Sequence, residues 1–240
     1  MNKNTIRLLQ LYPHDMNIYG DWGNTLTLKR RLKWHGYLVE LLEHNPDDIF
    51  PDNVDLIVGG GGQDSGQDKI QKDLMKIGPN LIKLANANVP MLMICGMYQL
   101  FGNFFKTHEG RIIEGIGLLD IETHGGSERM IGNIIINNSQ FGDIIGYENH
   151  SGATILAENI RPFGQVIRGA GNNGKDATEG ARYKNVIGTY LHGSLLPKNP
   201  TVADWLIEKA VERKYGEFTP MVIDDRLANE ARRIAAARPR

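Results

Sequence analysis

Cys95, the one cysteine in the chain, is a candidate nucleophile. It lies in the stretch VPMLMICGMYQLFG (residues 89–102), where an apolar run ends at Ile94 and helix-forming residues begin right after Gly96. This order predicts a sharp turn from a strand into a helix, which is the geometry of a nucleophile elbow. Such a turn lifts the thiol off the sheet, and the N-terminal end of the helix favours the thiolate. The alternative is a buried, inert thiol that serves as a small apolar side chain.

A nucleophilic cysteine needs a base, and His192 is the candidate. His192 lies in VIGTYLHGSLLPKNP, at the end of a predicted strand, where functional residues are common. The position of His150, in GYENHSG, does not exclude such a role. The other histidines are assigned to early helix or loop positions or to polar loops, and they are His14, His35, His44, His108 and His124.

An oxyanion that forms on the substrate needs hydrogen-bond donors, and a glycine run offers them. In IVGGGGQD the glycines at 59–62 directly follow an apolar strand. Glycine leaves the backbone N–H groups uncovered, so they can point at a developing negative charge. A flexible turn would use the same residues. The run is not a phosphate-binding loop, because no Gly-Lys-Ser or Gly-Lys-Thr follows it.

Apolar runs that alternate with amphipathic stretches predict the elements that position these residues. Early strands are predicted at 5–12, 37–43 and 54–62 and in the run that ends at Ile94, and later strands within 112–122, 129–137, 152–158, 163–169 and 184–193. Predicted helices are 23–36, capped by Asn24 and stopped by Gly36, a pair broken at Gly78 and Pro79, and two final helices near 200–214 and 224–237. This order predicts a single α/β domain over residues 1–240, built on a three-layer, mostly parallel sheet with antiparallel strands added at one edge.

Composition excludes several classes of function. The chain has 240 residues, 41% of them hydrophobic and 23% charged, which is typical of a globular protein. Its net charge of −1 gives no electrostatic basis for binding nucleic acid or anionic membranes. The first residues have no cleavage site of a secretory signal, and nowhere do eighteen apolar residues follow one another. A single cysteine excludes an internal disulfide and a thiolate metal site, so we expect a cytoplasmic protein with no membrane span.

Five motifs taken together resemble those of class I glutamine amidotransferases. In chain order they are MNIYGDWGN (16–24), GGGGQD (59–64), ICGMYQL (94–100), GYENHSG (146–152) and YLHGSLLPKNPTVADWLI (190–207). Their order and spacing are similar to the branch that is related to cobyric acid synthase, the CobB/CobQ-like branch, and most of all to GatD-type glutaminase subunits. The resemblance covers about residues 5–215 and implies a flavodoxin-like, three-layer fold.

The resemblance implies a role for each matching residue. Cys95 would attack the glutamine amide to form a γ-glutamyl thioester, and His192 would take and return the proton. The oxyanion would be held by backbone N–H groups of Gly60, Gly61, Gly62 and Gly96. Substrate would be bound by Gln99 and Arg129, the latter through the α-carboxylate of glutamine. Without the resemblance, Gln99 is an ordinary helix residue and Arg129 an exposed arginine at a strand end.

One feature departs from many class I amidotransferases, in which Pro-Glu follows the histidine and the glutamate orients the imidazole. Here the residues after His192 are Gly193 and Ser194. The cobyric-type branch shares this absence, so the orienting group must come from elsewhere in the chain or from a partner. Glu148 is an internal candidate, although a structural role for YENH (147–150) explains it equally well.

The resemblance also implies a partner. GatD-type subunits deliver ammonia to a MurT-like Mur ligase that uses ATP and Mg²⁺ to amidate the D-glutamate of lipid II in peptidoglycan synthesis, and this chain itself would need no cofactor or metal. Only 15 residues precede MNIYGDWGN, so the synthetase domain of cobyric acid synthases is not expected ahead of it. The alternatives are a cobyric-type amidotransferase with another carboxylate acceptor, a stand-alone flavodoxin-like hydrolase, and a non-catalytic binding module.

Overall fold

The structure is a computed structural model that describes residues 4–239, except for the side chain of residue 64. The strands are β1 (Thr5–Leu11), β2 (Leu38–His44), β3 (Leu56–Gly59), β4 (Met91–Ile94), β5 (Phe104–Lys106), β6 (Ile112–Glu114), β7 (Ile121–Asn138), β8 (Gly142–Leu156), β9 (Gly164–Arg168), β10 (Thr178–Glu179), β11 (Ala181–Tyr183) and β12 (Val186–Thr189). The helices are α1 (Trp22–Trp34), α2 (Asp64–Asn86), α3 (Gly96–Leu100), α4 (Leu195–Lys198), α5 (Pro200–Tyr215) and α6 (Arg226–Ala237).

The first sheet brings the candidate site together at one edge. Its strand order is β11-β12-β4-β3-β1-β2, and all pairs are parallel except β11 with β12. Strands β3, β4 and β12 are buried along their whole length, as expected of strands covered on both faces. The register pairs Gly59 with Met93 and Thr189 with Ile94. The glycine turn, Cys95 and the segment that leads to His192 therefore leave the sheet side by side.

The second sheet contains most of the antiparallel strands. Its order is β10-β9-β7-β5-β6, and β8 pairs with β7. The sequence predicted that antiparallel strands extend one edge of the parallel sheet, but only β11 does so. The predicted strands at 129–137 and 152–158 are parts of the long hairpin β7–β8, and of the predicted run at 112–122 only its two ends are strands. A bridge between Tyr147 and His192 joins this sheet to the site.

Helix α2 runs through Pro79, so the predicted break at Gly78 and Pro79 is wrong. The buried face of the helix continues on both sides of the proline, with Ile77 before it and Leu81 after it. Burying each such side chain contributes about 1.5–3 kcal/mol. Together these contributions offset a proline penalty of about 3 kcal/mol. No helix in the described part of the chain, residues 4–239, is both long and apolar enough to cross a membrane.

Helix α1 begins at Trp22, two residues before the Asn24 that was predicted to cap it. Asn24 is fully buried inside the first turn, where its Oδ1 accepts a hydrogen bond from the backbone N–H of Leu196 at 2.9 Å. Asp21 occupies the capping position instead, but its side chain makes no capping hydrogen bond. The carboxylate of Asp21 is therefore available for another contact.

Candidate active site

Cys95 sits on the sharp turn between β4 and α3, where the sequence predicted it. Its backbone angles are φ 49° and ψ −105°, a combination that non-glycine residues rarely adopt. Such strain costs about 1–3 kcal/mol and persists only where neighbouring contacts enforce it. Here the N–H of Cys95 donates to the carbonyl of Thr189 at 2.8 Å, and its own carbonyl accepts from Gln99 at 2.9 Å. The following helix has only five residues, so its dipole supports a thiolate weakly.

His192 lies beside Cys95 at the same edge of the sheet. Its ring is buried, and its backbone N–H donates to the carbonyl of Tyr147 at 2.7 Å. The ring of Tyr19 packs edge-on against the imidazole, with 4.7 Å between ring centroids. A Cβ atom placed on Gly61 would stand 2.7 Å from His192 Cε1 and 3.2 Å from Cys95 Cβ. The candidate nucleophile and base thus face each other across Gly61.

The carboxylate beside His192 belongs to Asp21, a residue that the sequence analysis missed. Its Oδ2 lies 3.3 Å from His192 Nδ1 and accepts a hydrogen bond from the N–H of Gly61 at 2.8 Å. Glu148, the internal candidate, is also buried, but its two oxygens accept hydrogen bonds from the N–H groups of Ala170 and Gly171 at 2.8 and 2.9 Å. The chain therefore places its own carboxylate at the imidazole.

The charges around His192 favour its protonated form. Burial lowers the pKa of the imidazole, but the charge of Cys95, the hydrogen bond and charge of Asp21, and a hydrogen bond to Cys95 raise it more, so that the pKa of His192 is about 10. An imidazolium beside the sulfur stabilises a thiolate, which is the nucleophilic form of cysteine. The arrangement can therefore hold an imidazolium beside the sulfur of Cys95 at neutral pH.

The glycine turn after β3 offers fewer oxyanion donors than predicted. The N–H of Gly61 is bound to Asp21, so it is not available to a substrate. Gly60 and Gly62 pack so closely on Met16 that a Cβ at either position would collide with it. The nitrogen of Gly62 lies 3.3 Å from the place where a Cβ on Gly96 would stand. Gly62 and Gly96 are thus neighbours beside Cys95, and their N–H groups remain candidates for an oxyanion hole.

A cavity of about 360 Å³ opens in front of Cys95. This volume is in the range of small-molecule sites. Its lining brings together residues from the glycine turn, the elbow and the hairpin β7–β8, among them Gly62, Gln99, Arg129, Asn149 and His150. Nowhere in the described chain do three or more His, Cys, Asp or Glu residues come close enough to hold a metal ion.

Arg129 reaches this cavity from β7. Its Nε donates to Asn149 Oδ1 at 2.6 Å, and its Nη2 donates to the hydroxyl of Tyr19 at 3.1 Å. Both partners are uncharged, so they orient the guanidinium without neutralising its positive charge. The remaining N–H donors can bind a carboxylate with two parallel hydrogen bonds.

Gln99 lines the cavity, but its amide is engaged within the protein. Its Oε1 accepts from Gln67 Nε2 at 2.8 Å, and its Nε2 donates to the hydroxyl of Tyr190 at 3.1 Å. A contact of Gln99 with substrate remains a prediction.

The ring of His150 stacks on Tyr190 with 3.6 Å between centroids, and its Nδ1 lies 2.8 Å from the carbonyl of Gly152. Burial lowers the pKa of His150 to about 3, so this ring is neutral.

Two further histidines form carboxylate pairs away from the cavity. His44, at the end of β2, is fully buried, and its Nε2 lies 2.8 Å from Asp73 Oδ2. His35 Nε2 lies 3.2 Å from Asp204 Oδ1. His124 was predicted in a polar loop but lies in β7. These side chains do not line the cavity in front of Cys95.

The elbow cysteine, the histidine beside it and the glycine turn on an α/β sheet have the arrangement of a hydrolase that uses a cysteine nucleophile. The chain belongs to the CobB/CobQ-like glutamine amidotransferase family, whose domain matches residues 7–200. It is 40% identical over 220 residues to the GatD subunit of lipid II isoglutaminyl synthase (glutamine-hydrolyzing) of Staphylococcus aureus, covering 91% of this chain and 90% of the relative. The corresponding subunit of Streptococcus pneumoniae is 37% identical, covering 88% and 83%.

More distant relatives are cobyric acid synthases. The probable cobyric acid synthase of Methanothermobacter thermautotrophicus is 32% identical over 157 residues, which cover 59% of this chain and 31% of that protein. The predicted resemblance to the cobyric-type branch, and to its GatD-type members in particular, is therefore confirmed.

Solved structures confirm the predicted fold class. A glutamine amidotransferase of Thermotoga maritima superposes with a TM-score of 0.53 at 16% identity, covering 96% of this chain and 93% of the other. The glutaminase domain of Trypanosoma brucei CTPS, solved with bound acivicin, gives a TM-score of 0.52 at 11% identity and covers 91% and 98%. The chain thus has the three-layer α/β fold of class I glutamine amidotransferases.

Proposed function

We propose that this chain is the glutaminase subunit of a lipid II isoglutaminyl synthase, which hydrolyses glutamine and delivers ammonia to an ATP-dependent ligase. One observation carries the glutaminase part: Cys95, Gly62 and Arg129 line one cavity, and His192 lies beside Cys95 across Gly61. The lipid II part is supported by the two GatD relatives, which match nearly the whole chain, whereas the cobyric acid synthase matches only 59% of it.

The geometry accounts for glutamine hydrolysis in two chemical steps. The Cys95 thiolate attacks the side-chain amide carbon, and the resulting oxyanion accepts hydrogen bonds from the N–H groups of Gly62 and Gly96. His192 then gives its proton to the leaving nitrogen, the C–N bond breaks, and ammonia and a γ-glutamyl thioester result. A water molecule gives a proton to His192 as it attacks the thioester, which releases glutamate and restores the thiolate–imidazolium pair.

The acceptor chemistry belongs to a partner. We propose a MurT-like Mur ligase that forms a heterodimer with this chain in the cytoplasm, binds ATP and Mg²⁺, and amidates the D-glutamate of lipid II. The word "subunit" in the names of the two relatives supports a complex. In this proposal the chain itself uses no cofactor, because the hydrolysis needs only a thiolate, a proton carrier, oxyanion donors and water.

Two assays test the proposal. The purified chain should release ammonia from L-glutamine but not from L-asparagine, whose shorter side chain would leave the amide carbon short of Cys95 when Arg129 holds the α-carboxylate. A mixture of the chain, a MurT-like ligase, ATP, Mg²⁺ and lipid II should form amidated lipid II with glutamine as the nitrogen source. Ammonia release without amidation of lipid II would support the glutaminase activity but contradict lipid II as the acceptor. A chain that neither releases ammonia nor supports amidation would contradict both parts of the proposal.

Replacing Arg129 with alanine should lower kcat/KM for glutamine without unfolding the protein. Loss of a charge-assisted pair with the α-carboxylate should cost about 2–3 kcal/mol of transition-state stabilisation, and kcat/KM should fall by the corresponding factor. Arg129→Lys should recover only part of this loss, because lysine keeps the charge but lacks the planar fork. Steady-state glutaminase kinetics measure both variants. Arg111→Ala, which removes an exposed arginine paired with Asp68, is the control and should behave like the wild type. An unchanged kcat/KM in Arg129→Ala would return Arg129 to the role of a surface residue.

The pH dependence should show that His192 works as an imidazolium. Its pKa is raised from 6.5 to about 10, so the proton that the leaving nitrogen needs is present below that pH and is lost as the pH rises through it. We therefore expect the alkaline fall of kcat/KM for glutamine to be centred at about pH 10, while circular dichroism shows that the fold persists. A fall centred between pH 6 and 7 would mean that the pair with Cys95 and Asp21 does not stabilise the imidazolium.

A further inference from the structure

We propose that Asp21 is the positioning residue of this site, and that one carboxylate oxygen holds both the base and the glycine turn. The inference rests on the proposed glutaminase activity and names the group that replaces the glutamate missing after His192. It also assigns this role to a residue of the chain itself, whereas the sequence analysis allowed the carboxylate to come either from the chain or from a partner.

The contacts of Asp21 support a dual role. Its side chain is fully buried, and the same Oδ2 meets His192 Nδ1 at 3.3 Å and the Gly61 N–H at 2.8 Å. Oδ1 is also buried and has no hydrogen-bond partner among the described residues. A buried carboxylate is costly unless it is paired, so its retention here needs a compensating contact. The pair with His192 supplies it.

The contact fixes which nitrogen of His192 faces the nucleophile. An ionised carboxylate only accepts hydrogen bonds, so Nδ1 must carry a proton. Nε2, on the other side of the ring, has no hydrogen-bond partner among the described residues, so it is left to exchange a proton with the thiol of Cys95. Holding the imidazole in this tautomer and orientation is the role that the aspartate plays in hydrolytic triads.

The second contact connects the base to the oxyanion donors. Asp21 Oδ2 holds the Gly61 N–H, which turns this group away from the cavity. The next residue, Gly62, lines the cavity beside Cys95. A shift of the carboxylate would therefore disturb the imidazole and the N–H of Gly62 together. The base and the oxyanion hole are thus positioned by one group.

Several other ionisable groups interact with His192 and bear on any pH readout. Cys95 and Asp21 are the strongest, while His150 and Glu179 interact with it through charge and Tyr19 through its ring edge. Burial raises the pKa of Glu179 to about 8, so its ionisation overlaps the neutral range. A comparison of variants at one fixed pH removes this contribution.

Asp21→Asn is the decisive variant, because asparagine has the same shape but no charge, and its amide group can donate to Nδ1 and so favour the wrong tautomer of His192. We expect kcat to fall by up to about 10⁴ with KM for glutamine within a few-fold of the wild type. The rate at which iodoacetamide alkylates Cys95 at neutral pH should also fall, because the imidazolium that stabilises the thiolate loses its counter-ion. Cys95 is the only cysteine, so this rate reports one site.

Asp73→Asn is the matched control. Asp73 is also a buried aspartate bound to a histidine, His44, but it lies away from the cavity. This variant should lose thermal stability and keep the wild-type kcat and alkylation rate. Asp21→Ala, which in addition leaves the Gly61 N–H unpaired, should be slower than Asp21→Asn. If Asp21→Ala does not fold, the isosteric variant alone carries the test.

The proposal is overturned if Asp21→Asn retains both the wild-type kcat and the wild-type alkylation rate, with and without the ligase partner. An equal loss in Asp73→Asn would overturn it too, because the effect would then not be specific to the site. Failure of the proposed function is a separate result: a wild-type chain that releases no ammonia rejects the glutaminase, while the alkylation rates still test Asp21.

Discussion

Cys95→Ala is expected to abolish glutamine hydrolysis while the protein keeps its fold and its ability to bind glutamine. No other thiol exists in the chain, and without the thioester only the slow direct attack of water remains. The side chain is small, so its loss removes little packing. Ammonia release measures the activity, thermal denaturation the fold, and isothermal titration the binding of glutamine.

Cys95→Ser separates the nucleophile from the shape of the elbow. The hydroxyl is nearly as large as the thiol but is not ionised by an imidazole with a pKa near 10, so this variant should also be inactive. Alkylation of the wild type should abolish activity in proportion to the label incorporated. Retained glutaminase activity in Cys95→Ala would refute the thioester mechanism outright.

His192→Gln should lower kcat by about 10²–10⁴, which is the usual contribution of a positioned acid–base group. Glutamine fills most of the space of the ring and can still donate to Asp21, but it cannot carry the proton between Cys95 and the leaving nitrogen. Pre-steady-state kinetics should show that formation of the thioester is the slowed step. Alkylation of Cys95 at neutral pH should slow as well.

His124→Gln is the control for His192→Gln. His124 lies in β7, is partly exposed, and its Nε2 is 3.7 Å from Glu122. It does not line the cavity in front of Cys95, so this variant should keep the wild-type kcat. A His192→Gln protein that is as active as this control would show that another group moves the proton.

Local sequence patterns predicted the elbow and the position of His192 at the end of a strand because their determinants are local. An apolar strand followed by Cys95 and Gly96 is enough to predict the turn, and His192 follows the apolar strand that pairs with it. Asp21 could not be found in this way. An aspartate in front of a helix is the usual pattern of a capping residue, whereas its actual partner is 171 residues away in the sequence.

The sequence analysis did not predict the long hairpin β7–β8, because the hairpin contains glycines. Glycine in a strand is commonly taken as a break, and the strand predicted at 152–158 begins at Gly152 although β8 starts ten residues earlier. Gly146 and Gly152 serve close packing instead: a Cβ on Gly146 would stand 2.5 Å from Leu191 Cγ, and one on Gly152 would stand 2.6 Å from Gln99 Nε2. These contacts join the second sheet to the site and depend on tertiary structure.

The backbone of Cys95 implies that the protein is less stable than its own fold allows. A cysteine at φ 49° and ψ −105° is strained by about 1–3 kcal/mol, and glycine would relieve most of this strain. Selection for heat resistance alone would therefore favour the loss of the nucleophile. Under the proposed mechanism, the need for a nucleophile outweighs this strain at residue 95, and heat-stable variants must gain their stability elsewhere in the chain.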